Sequence, residues 1–275
     1  MKRKTIVIGL LFCLTLSVPF SLFSQSQDFQ INGTVLIKYN GSATNVTIPS
    51  SVTSIGNSAF INCITLTSIT IPSSVTSIGN NAFVGCNRLT SITIPSSVTS
   101  IGRCAFSSCH RLTSIAVDTQ NSAYSSVDGV LFNKNRTVLV TYPAGKQGSY
   151  TIPSSVTAIG VDAFSDCISL TSVTIPSSVT SIGHSAFLWC SSLTSVTIPS
   201  SVTSIGFQAF SECDSLTSIT IPASVTSVSS GAFSFWTSSQ TINIQGKANR
   251  AAADAAWGED WREFCDATIV YLGGR

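Results

Sequence analysis

Apolar residues recur along this chain with a fixed period of 23 residues. The string IPSSVTSIG, in some copies with substitutions, marks the start of each repeat through its proline. These prolines are Pro49, Pro72, Pro95, Pro153, Pro176, Pro199 and Pro222. Phenylalanine and leucine columns keep the same spacing, so the chain contains seven repeats, in a run of three followed by a run of four.

The pattern within one repeat predicts two short strands and a turn. Residues 89–94 have the form LxxIxI, in which the leucine and isoleucines can turn inward while Ser and Thr stay outside. Pro95 ends this strand because proline cannot donate to a strand ladder. Residues 98–101 predict a second short strand. Gly102 is expected to take a positive φ, and residues 103–109 have room for about one helical turn.

A repeat of 23 residues is too short to bury a core by itself, so neighbouring repeats must stack and cover one another's apolar faces. The sequence therefore predicts an α/β-type repeat solenoid with a parallel sheet of short strands and one continuous apolar interior. The two runs are separated by 58 residues between Pro95 and Pro153, one repeat plus 35. We interpret the extra residues as an irregular module inserted into the array, not as a domain boundary.

The repeated columns IPxxVxxIGxxAFxxCxxLxxIxIP resemble the BspA-like, or treponemal-type, class of leucine-rich repeat, from Pro49 to about Ile244. The irregular module at residues 122–153 and the N-terminal segment at residues 33–49 also resemble segments of that family. The resemblance implies a leucine-rich-repeat right-handed coil. It also implies a secreted or bacterial cell-surface protein, often an adhesin, that binds host or bacterial surface proteins without catalytic activity or a cofactor.

The chain then divides into six expected segments. These are a signal peptide (1–24), an N-terminal β cap (25–48), leucine-rich repeats 1–3 (49–117), the irregular module (118–152), leucine-rich repeats 4–7 (153–244) and a C-terminal helical cap (245–275). In the C-terminal segment, Trp257, Trp261 and Phe264 are spaced as one apolar helix face, and a short strand is expected at residues 268–272. An aromatic ligand platform is the alternative reading of those tryptophans.

The first residues have the features of a secretory signal peptide: Lys2, Arg3 and Lys4 precede an apolar stretch that ends in small and polar residues near Ser24. A membrane span and a lipid-anchored start at Cys13 are the alternatives. Polar residues and a proline interrupt the stretch near its end, which favours cleavage. The mature chain is then expected to have no integral membrane span.

Composition excludes two classes of partner. Ser and Thr together are about 80 of 275 residues, and only 9% of residues are charged, so the surface must be built from hydroxyl groups. Without the three basic residues of the signal segment, 11 basic residues face 12 acidic ones. A near-neutral chain without Lys/Arg clusters lacks the electrostatic footprint needed for nucleic acid or an anionic membrane surface.

Six cysteines occupy one repeat column: Cys63, Cys86, Cys109, Cys167, Cys190 and Cys213. Stacking would place them in a row with their side chains pointing the same way, which favours buried free thiols over disulfides between neighbours. No CxxC motif or histidine cluster accompanies them, so no metal site is expected. Cys104 and Cys265 lie outside the column, and the sequence pairs neither of them.

No catalytic arrangement is expected. The chain has only two histidines, His110 and His184, and neither sits beside a serine in a recognisable nucleophile motif. Two pairs of carboxylates, Asp162 with Asp166 and Glu212 with Asp214, fall in variable slots and are expected to be exposed and solvated.

Residues that differ between repeats are the place to look for specificity. The outer Thr-Ser strand positions are nearly identical in every repeat, whereas residues around the AFxxC turn vary. The candidate binding residues are Arg88, Arg103, His110 and Arg111, a weakly basic strip, and His184, Leu188, Trp189 and Phe207, an aromatic strip. The plain alternative is that they are unconstrained turn residues. The second functional hypothesis is a structural, self-associating surface coat whose Ser/Thr face pairs with other copies.

Overall fold

The computed structural model describes residues 27–273, and within it the chain stacks on itself as a solenoid. The predicted signal peptide, residues 1–24, lies outside the described residues. Each repeat contributes one strand to each of two parallel ladders, a long-strand ladder built from the LxxIxI segments and a short-strand ladder built from the segments that follow the proline.

The long-strand ladder contains β3 (Asn45–Thr47), β5 (Ser68–Thr70), β7 (Ser91–Ile94), β9 (Ser114–Val117), β13 (Gly148–Thr151), β15 (Leu170–Thr174), β17 (Ser195–Thr197), β19 (Ser218–Ile221), β21 (Thr241–Gln245) and β22 (Thr268–Leu272). Its strands are hydrogen-bonded in four separate sheets, β3–β5, β7–β9, β13–β15–β17 and β19–β21–β22. The short-strand ladder contains β2 (Val35–Tyr39), β4 (Ser54–Ile55), β6 (Ser77–Ile78), β8 (Ser100–Ile101), β12 (Val138–Thr141), β14 (Ala158–Ile159), β16 (Ser181–Ile182), β18 (Ser204–Ile205) and β20 (Ser227–Val228). Three further strands pair in hairpins: β1 (Phe29–Asn32), β10 (Tyr124–Val127) and β11 (Val130–Asn133).

Equivalent residues of successive repeats lie side by side, as stacking requires. Ser54 pairs with Ser77 and Ile55 with Ile78, each 23 positions apart in the chain. The phenylalanines stack inside the coil, with ring centroids 5.1 Å apart for Phe60 and Phe83. The predicted parallel solenoid is therefore confirmed.

The hydroxyl groups of the repeats are used within the coil. The threonine that precedes the SI strand donates its Oγ1 hydrogen to the main-chain oxygen of the equivalent threonine one repeat earlier, as Thr180 does to Thr157 at 3.2 Å. The serine two residues before it donates to a valine carbonyl in the preceding repeat, as Ser178 does to Val156 at 2.7 Å. A Ser/Thr-rich repeat thus adds side-chain hydrogen bonds to the backbone ladder at every turn.

The cysteine column also links successive repeats. Cys190 is fully buried and its thiol donates to the carbonyl of Phe164 at 3.1 Å. Other members make the same contact to the phenylalanine of the preceding repeat: Cys86, Cys109 and Cys213. In the last repeat Trp236 occupies this column, and its indole N–H donates to Phe210 O at 2.8 Å, so it replaces the thiol as the donor. The eight cysteines of the described residues are free, and Cys63 is the half-buried member of the column.

Each of the two runs of repeats begins with the same arrangement, an antiparallel strand pair whose second strand then pairs parallel with the first repeat. At the N-terminus, β1 and β2 form a hairpin, β2 pairs with β4, and Tyr39 N donates to Ala59 O at 2.8 Å. In the irregular module, β11 and β12 pair antiparallel, β12 pairs with β14, and Tyr142 N donates to Ala163 O at 2.7 Å. Each tyrosine ring packs on the first phenylalanine of its run, Phe60 or Phe164. The module is therefore a second cap built into the middle of the array.

This second cap divides the interior, which corrects the expectation of one continuous apolar core. The buried residues form two clusters that meet at β11. Leu131 belongs to the first cluster, whereas its neighbours Val130 and Phe132 belong to the second, because successive side chains of a strand point to opposite faces. The short-strand ladder breaks at the same place, where Ile101 N–H donates to the Tyr124 hydroxyl at 2.9 Å. A strand with both faces buried thus separates two stacked blocks.

The segment after the second strand is a turn, so the predicted helical turn at residues 103–109 is wrong. We call this segment, from the residue after the glycine to the cysteine, the AF turn. Its backbone passes twice through the left-handed region, in repeat 3 at Cys104 (φ 52°) and Ser108 (φ 56°), which stops a helix from forming. The glycine before it does not have a positive φ. A Cβ on Gly102 would lie 2.5 Å from Asn80 N, so this position is glycine because neighbouring repeats approach closely.

The C-terminal end closes the coil. Helix α1 (Arg250–Trp257) begins at Asn249, whose side chain accepts from Ala252 N, and a 3-10 helix (Glu259–Arg262) follows it. Trp261 is fully buried against the second core cluster, and β22 pairs with β21 at the strand position predicted from the sequence. Phe264 was expected on the same buried face but is 71% exposed, because Gly258 (φ 84°) ends the helix before it.

Candidate functional site

The junction between repeats 3 and 4 is the place where the regular stacking is interrupted. Elsewhere, successive AF turns are joined by main-chain hydrogen bonds, such as Phe83 N to Ala105 O at 2.8 Å. Within the described residues, no such bond joins the AF turn at 103–109 to the one at 161–167. The main chain of Tyr142 instead donates to Ala163 O, the acceptor that the preceding repeat uses elsewhere in the array. We call this junction the seam.

Side chains cross the seam where the main chain does not. Arg103 Nε lies 3.5 Å from Asp162 Oδ2, and the Ser108 hydroxyl donates to Asp166 Oδ2 at 3.0 Å. Arg103 and Ser108 belong to repeat 3, and the two aspartates belong to repeat 4. The polar contacts between the two AF turns are therefore made by residue types that the other repeats do not share.

Both aspartates are buried, which corrects the expectation that they are exposed and solvated. Each has only 8% of its surface accessible. Burial raises the pKa of Asp166 above its usual range, and the Ser108 hydrogen bond and the nearby His110 oppose that rise. No hydrogen bond reaches Asp162 Oδ2, and its closest cation is the guanidinium of Arg103. The seam thus holds two carboxylates whose burial is incompletely compensated.

Cys104 lies beside the carboxylate of Asp162. Burial, and then the hydrogen bond and charge of Asp162, raise the pKa of its thiol to about 11. The thiolate is the reactive form of cysteine, so this side chain is a weak nucleophile at neutral pH.

The interrupted stacking leaves two adjoining hollows. The inner one, about 220 Å³, lies between the AF turn of repeat 3 and residues 138–142 and 160–165. The outer one, about 610 Å³, has Asp162 and Asp166 together with Arg103 in its lining. Leu188, Trp189 and Phe207 supply its apolar walls. We call this outer hollow the seam cavity.

The predicted binding residues separate into two groups. Arg103, His184, Leu188, Trp189 and Phe207 line the seam cavity together, so one member of the basic strip joins the aromatic strip. Arg88 and Arg111 line a separate surface hollow of about 490 Å³ with Ile64. His110 is half-buried next to Asp166, and its Nδ1 has no hydrogen-bond partner.

The sequence reasoning missed Asp162, Asp166, Cys104 and Ser108 as site residues. A usable signal was present, because repeat 4 alone has an acidic residue at two of the four variable positions of its AF turn. What the repeat pattern did not reveal is that the irregular module leaves repeats 3 and 4 facing each other across a gap.

Trp189 occupies a position that does not favour a large side chain. It has φ 60°, in the left-handed region, and so do the residues that fill the same column in the other repeats: Asn62, Gly85, Ser108, Asp166, Glu212 and Phe235. Left-handed backbone costs roughly 1–2 kcal/mol for a residue with a Cβ, and Gly and Asn tolerate it best. The ring is nevertheless held at the cavity wall with 48% of its surface exposed.

His184 has a defined role in the wall. Its Nδ1 accepts from Phe207 N at 2.9 Å, as Asn80 Oδ1 accepts from Arg103 N at 2.8 Å in the equivalent position of an earlier repeat. An Nδ1 that accepts a hydrogen bond places the ring proton of the neutral imidazole on Nε2. This position therefore holds a hydrogen-bond acceptor in these repeats, and His184 fixes the position of Phe207.

The comparison with family models covers almost the whole repeat array. Residues 36–144 and 142–256 match the model described as "BspA type Leucine rich repeat region", in 6 copies. The chain belongs to the BspA-type leucine-rich repeat family. Proteins with these repeats are in general binding proteins rather than enzymes.

Solved structures agree with the family. A leucine-rich cell surface protein from Faecalibacterium prausnitzii is 34% identical, with a TM-score of 0.68, over 84% of this chain and 60% of its own. A leucine-rich repeat protein from Eubacterium ventriosum is 26% identical, with a TM-score of 0.56, over 86% of this chain and 78% of its own. The pneumococcal vaccine antigen PcpA shares the fold at 22% identity, with a TM-score of 0.61, over 84% of this chain and 68% of its own.

The chain spans 60% of the length of the Faecalibacterium protein. A search of curated proteins found no match. Between residues 27 and 273 no helix is long and apolar enough to cross a bilayer. The same described stretch holds no cluster of three or more metal-ligating side chains.

Proposed function

We propose that this BspA-type protein is a secreted or cell-surface binding protein, adhesin-like in its action, that contacts host or bacterial surface proteins through the seam cavity and its rim. The observation that carries the proposal is the pair of aromatic side chains at that rim. Trp189 is 48% exposed and Phe207 is 42% exposed, beside a concave and partly charged surface. Exposed aromatic residues next to a cavity are typical anchors of protein interfaces.

The chemistry of the seam supports binding rather than catalysis. Its cysteine has a raised pKa, and its carboxylates are engaged with Arg103 and with Ser108. Nucleophilic catalysis requires the opposite, a nucleophile that an adjacent base or a lowered pKa activates. We therefore propose that the protein is not an enzyme.

We also propose that the protein is secreted or located at the cell surface. Family membership and the cell surface protein among the structural relatives support a surface or secreted location. The apolar segment at residues 5–23 supports secretion through a cleaved signal peptide.

The alternative, a self-associating coat, receives less support. That hypothesis needs free hydroxyl groups on the Thr-Ser strand face for pairing with another copy. Thr113 and Thr194 on that face instead donate to the main-chain oxygens of Thr90 and Thr171 in the preceding repeats. Each such bond reduces what the face can offer to a second molecule.

The proposal is tested by binding of the mature chain to panels of purified host matrix proteins and bacterial surface proteins. A partner captured by the wild type should be lost with the double variant Trp189→Ala, Phe207→Ala. The matched control is Phe235→Ala, Phe264→Ala, which removes a stacked, exposed aromatic pair that is not part of the cavity lining. Equal binding by wild type and the Trp189/Phe207 variant would reject the seam as the binding surface.

Sedimentation separates the two functional classes. A binding protein should sediment as a small species at every concentration tested, whereas a coat protein should form large assemblies as concentration rises. Assembly that survives the Trp189/Phe207 double variant would favour the coat.

A further inference from the structure

We propose that the seam cavity receives a cationic side chain, an arginine or a lysine, from the partner protein. This inference rests on the proposed binding function and adds the chemistry of the group that is recognised. Three features of the cavity indicate this occupant: its net charge, the unsatisfied buried oxygen of Asp162 and the aromatic and apolar side chains of its walls.

The charge balance of the cavity is negative. Asp162 and Asp166 both line it, and Arg103 is the one cation among the residues of its lining. Arg103 faces Asp162, while the group that bonds to Asp166 is the neutral hydroxyl of Ser108. Within the lining, one carboxylate therefore has no cation of its own, and the basic group beside Asp166, His110, lies outside the lining.

The buried oxygen of Asp162 points to the same conclusion. Oδ2 accepts no hydrogen bond although the residue is more than nine-tenths buried. The guanidinium near it is 3.5 Å away at Nε and belongs to a side chain that is 63% exposed. A donor that takes the place of the exposed Arg103 side chain can therefore satisfy this oxygen without displacing a well-formed hydrogen bond.

The walls suit the rest of a basic side chain. Trp189 and Phe207 present aromatic rings, which attract a cation over their faces. Leu188 and Val84 supply apolar surface for the methylene stem that Lys and Arg bury while their charged ends find polar partners. The volume of about 610 Å³ is large enough for one such side chain together with part of its backbone.

The test uses the mature chain with ¹⁵N-labelled tryptophan and two probes, N-acetyl-arginine methylamide and its neutral isostere N-acetyl-citrulline methylamide. The Trp189 indole resonance should shift in a saturable way with the arginine probe and not with the citrulline probe. Trp236 and Trp261 are fully buried and serve as internal controls whose resonances should stay in place.

Variants decide whether the carboxylates hold the cation. Asp166→Asn should weaken binding of the arginine probe at least about tenfold. Glu212→Gln removes the same charge from the same repeat column outside the cavity lining and should have no effect. Arg103→Gln removes the competing cation from an exposed position and should strengthen binding, whereas Arg88→Gln, in the separate hollow, should not.

The inference is overturned if the citrulline probe shifts Trp189 as much as the arginine probe does, if neither probe shifts it, or if Arg103→Gln weakens binding. Its failure can be told apart from failure of the proposed function. A purified partner that is lost with the Trp189/Phe207 variant but retained with Asp166→Asn would keep the seam as the binding surface and reject the cationic occupant.

Discussion

At the scale of single residues, the seam concentrates groups that each carry an unfavourable term. Asp166 is a buried carboxylate, Asp162 has an unsatisfied oxygen, and Trp189 holds a left-handed backbone. Other repeats fill the same two columns with Asn, Gly, Ser, Cys, Gln, Glu or Phe, and these residues share the left-handed backbone, so the feature peculiar to the seam is the pair of buried aspartates. Residues that lower stability at one junction are typical of a functional surface.

The backbone at Trp189 can be tested with two small substitutions. Trp189→Gly and Trp189→Ala both remove the ring, but only alanine keeps a Cβ in the left-handed region. We expect the glycine variant to be more stable by roughly 1 kcal/mol, measured by urea unfolding. Equal stabilities would mean that the position is not left-handed in solution.

The burial of Asp166 predicts a pH dependence of stability. Its folded pKa lies above the unfolded value, so the folded chain binds the proton more tightly. The stability that this group contributes is present at acidic pH and is lost as pH rises from the ordinary Asp range through the raised folded pKa. Ser108, His110 and Asp162 are the groups that set this value.

Asp166→Asn should therefore raise the melting temperature at neutral pH and flatten its dependence on pH in the acidic range. Glu212→Gln is the control with the same charge change, and it should leave the slope as in the wild type. Thermal unfolding followed by circular dichroism measures both. A wild-type slope retained in Asp166→Asn would show that this carboxyl is not the titrating group.

Cys104 predicts a chemical reactivity. With a pKa of about 11 against an ordinary thiol value of 9.0, its alkylation by iodoacetamide near neutral pH should be on the order of a hundredfold slower in the folded chain than after denaturation. Asp162→Asn removes a carboxylate that raises this pKa and should speed the reaction. Peptide mass spectrometry reads the label at Cys104, and an unchanged rate in that variant would contradict the contact with Asp162.

At the scale of the elements, the irregular module depends on its tight turns. Gly129 has φ 77°, and a Cβ there would lie 2.9 Å from Ser114 Cα. Gly148 has φ 81°, but a Cβ there would meet nothing within 4 Å. The two glycines thus separate the effect of backbone conformation from the effect of close packing.

Gly129→Ala should destabilise the protein more than Gly148→Ala, which should lose about 1 kcal/mol from the positive φ alone. The comparison is made by urea unfolding of the two single variants. Equal losses would mean that β10 and β11 can move away from Ser114 without penalty.

The repeats were predictable because they are local and periodic. Parallel strands, the buried phenylalanine column and the position of β22 all follow from spacing and alternation. The AF turn and Gly102 were predicted wrongly, since the pattern shows a glycine without showing whether it is needed for a positive φ or for close approach. The end of the C-terminal helix at Trp257 was also not predicted, because the helix-like spacing of the aromatic residues continues past Gly258.

At the scale of the whole molecule, the buried apolar residues form two clusters, and we expect the two blocks to unfold independently. Leu66 lies in the first cluster and Leu193 in the second, and both are fully buried. Deleting most of a buried leucine side chain costs about 2–5 kcal/mol. With a cap between the blocks, this loss should stay within the block that carries the substitution.

Leu66→Ala should therefore speed hydrogen exchange mainly at residues 29–117, and Leu193→Ala mainly at residues 138–244. Hydrogen exchange with mass spectrometry of the full chain resolves the two regions. Equal acceleration in both blocks by either variant would show that the array unfolds as one cooperative unit.

The candidate site was only partly predictable from the sequence. Asp162 and Asp166 line a cavity that forms only where the two blocks meet, and the repeat pattern does not show that junction.

The internal cap also fixes where this protein differs from a uniform rod. Repeats 2 to 6 contribute the lining of the seam cavity, while the outermost repeats do not touch it. Gain or loss of a copy at either extremity would lengthen or shorten the rod by one step of about 4.8 Å and leave the lining of the seam cavity unchanged. Copy number can thus set how far the proposed binding surface lies from either end of the array, without changing the residues that line it.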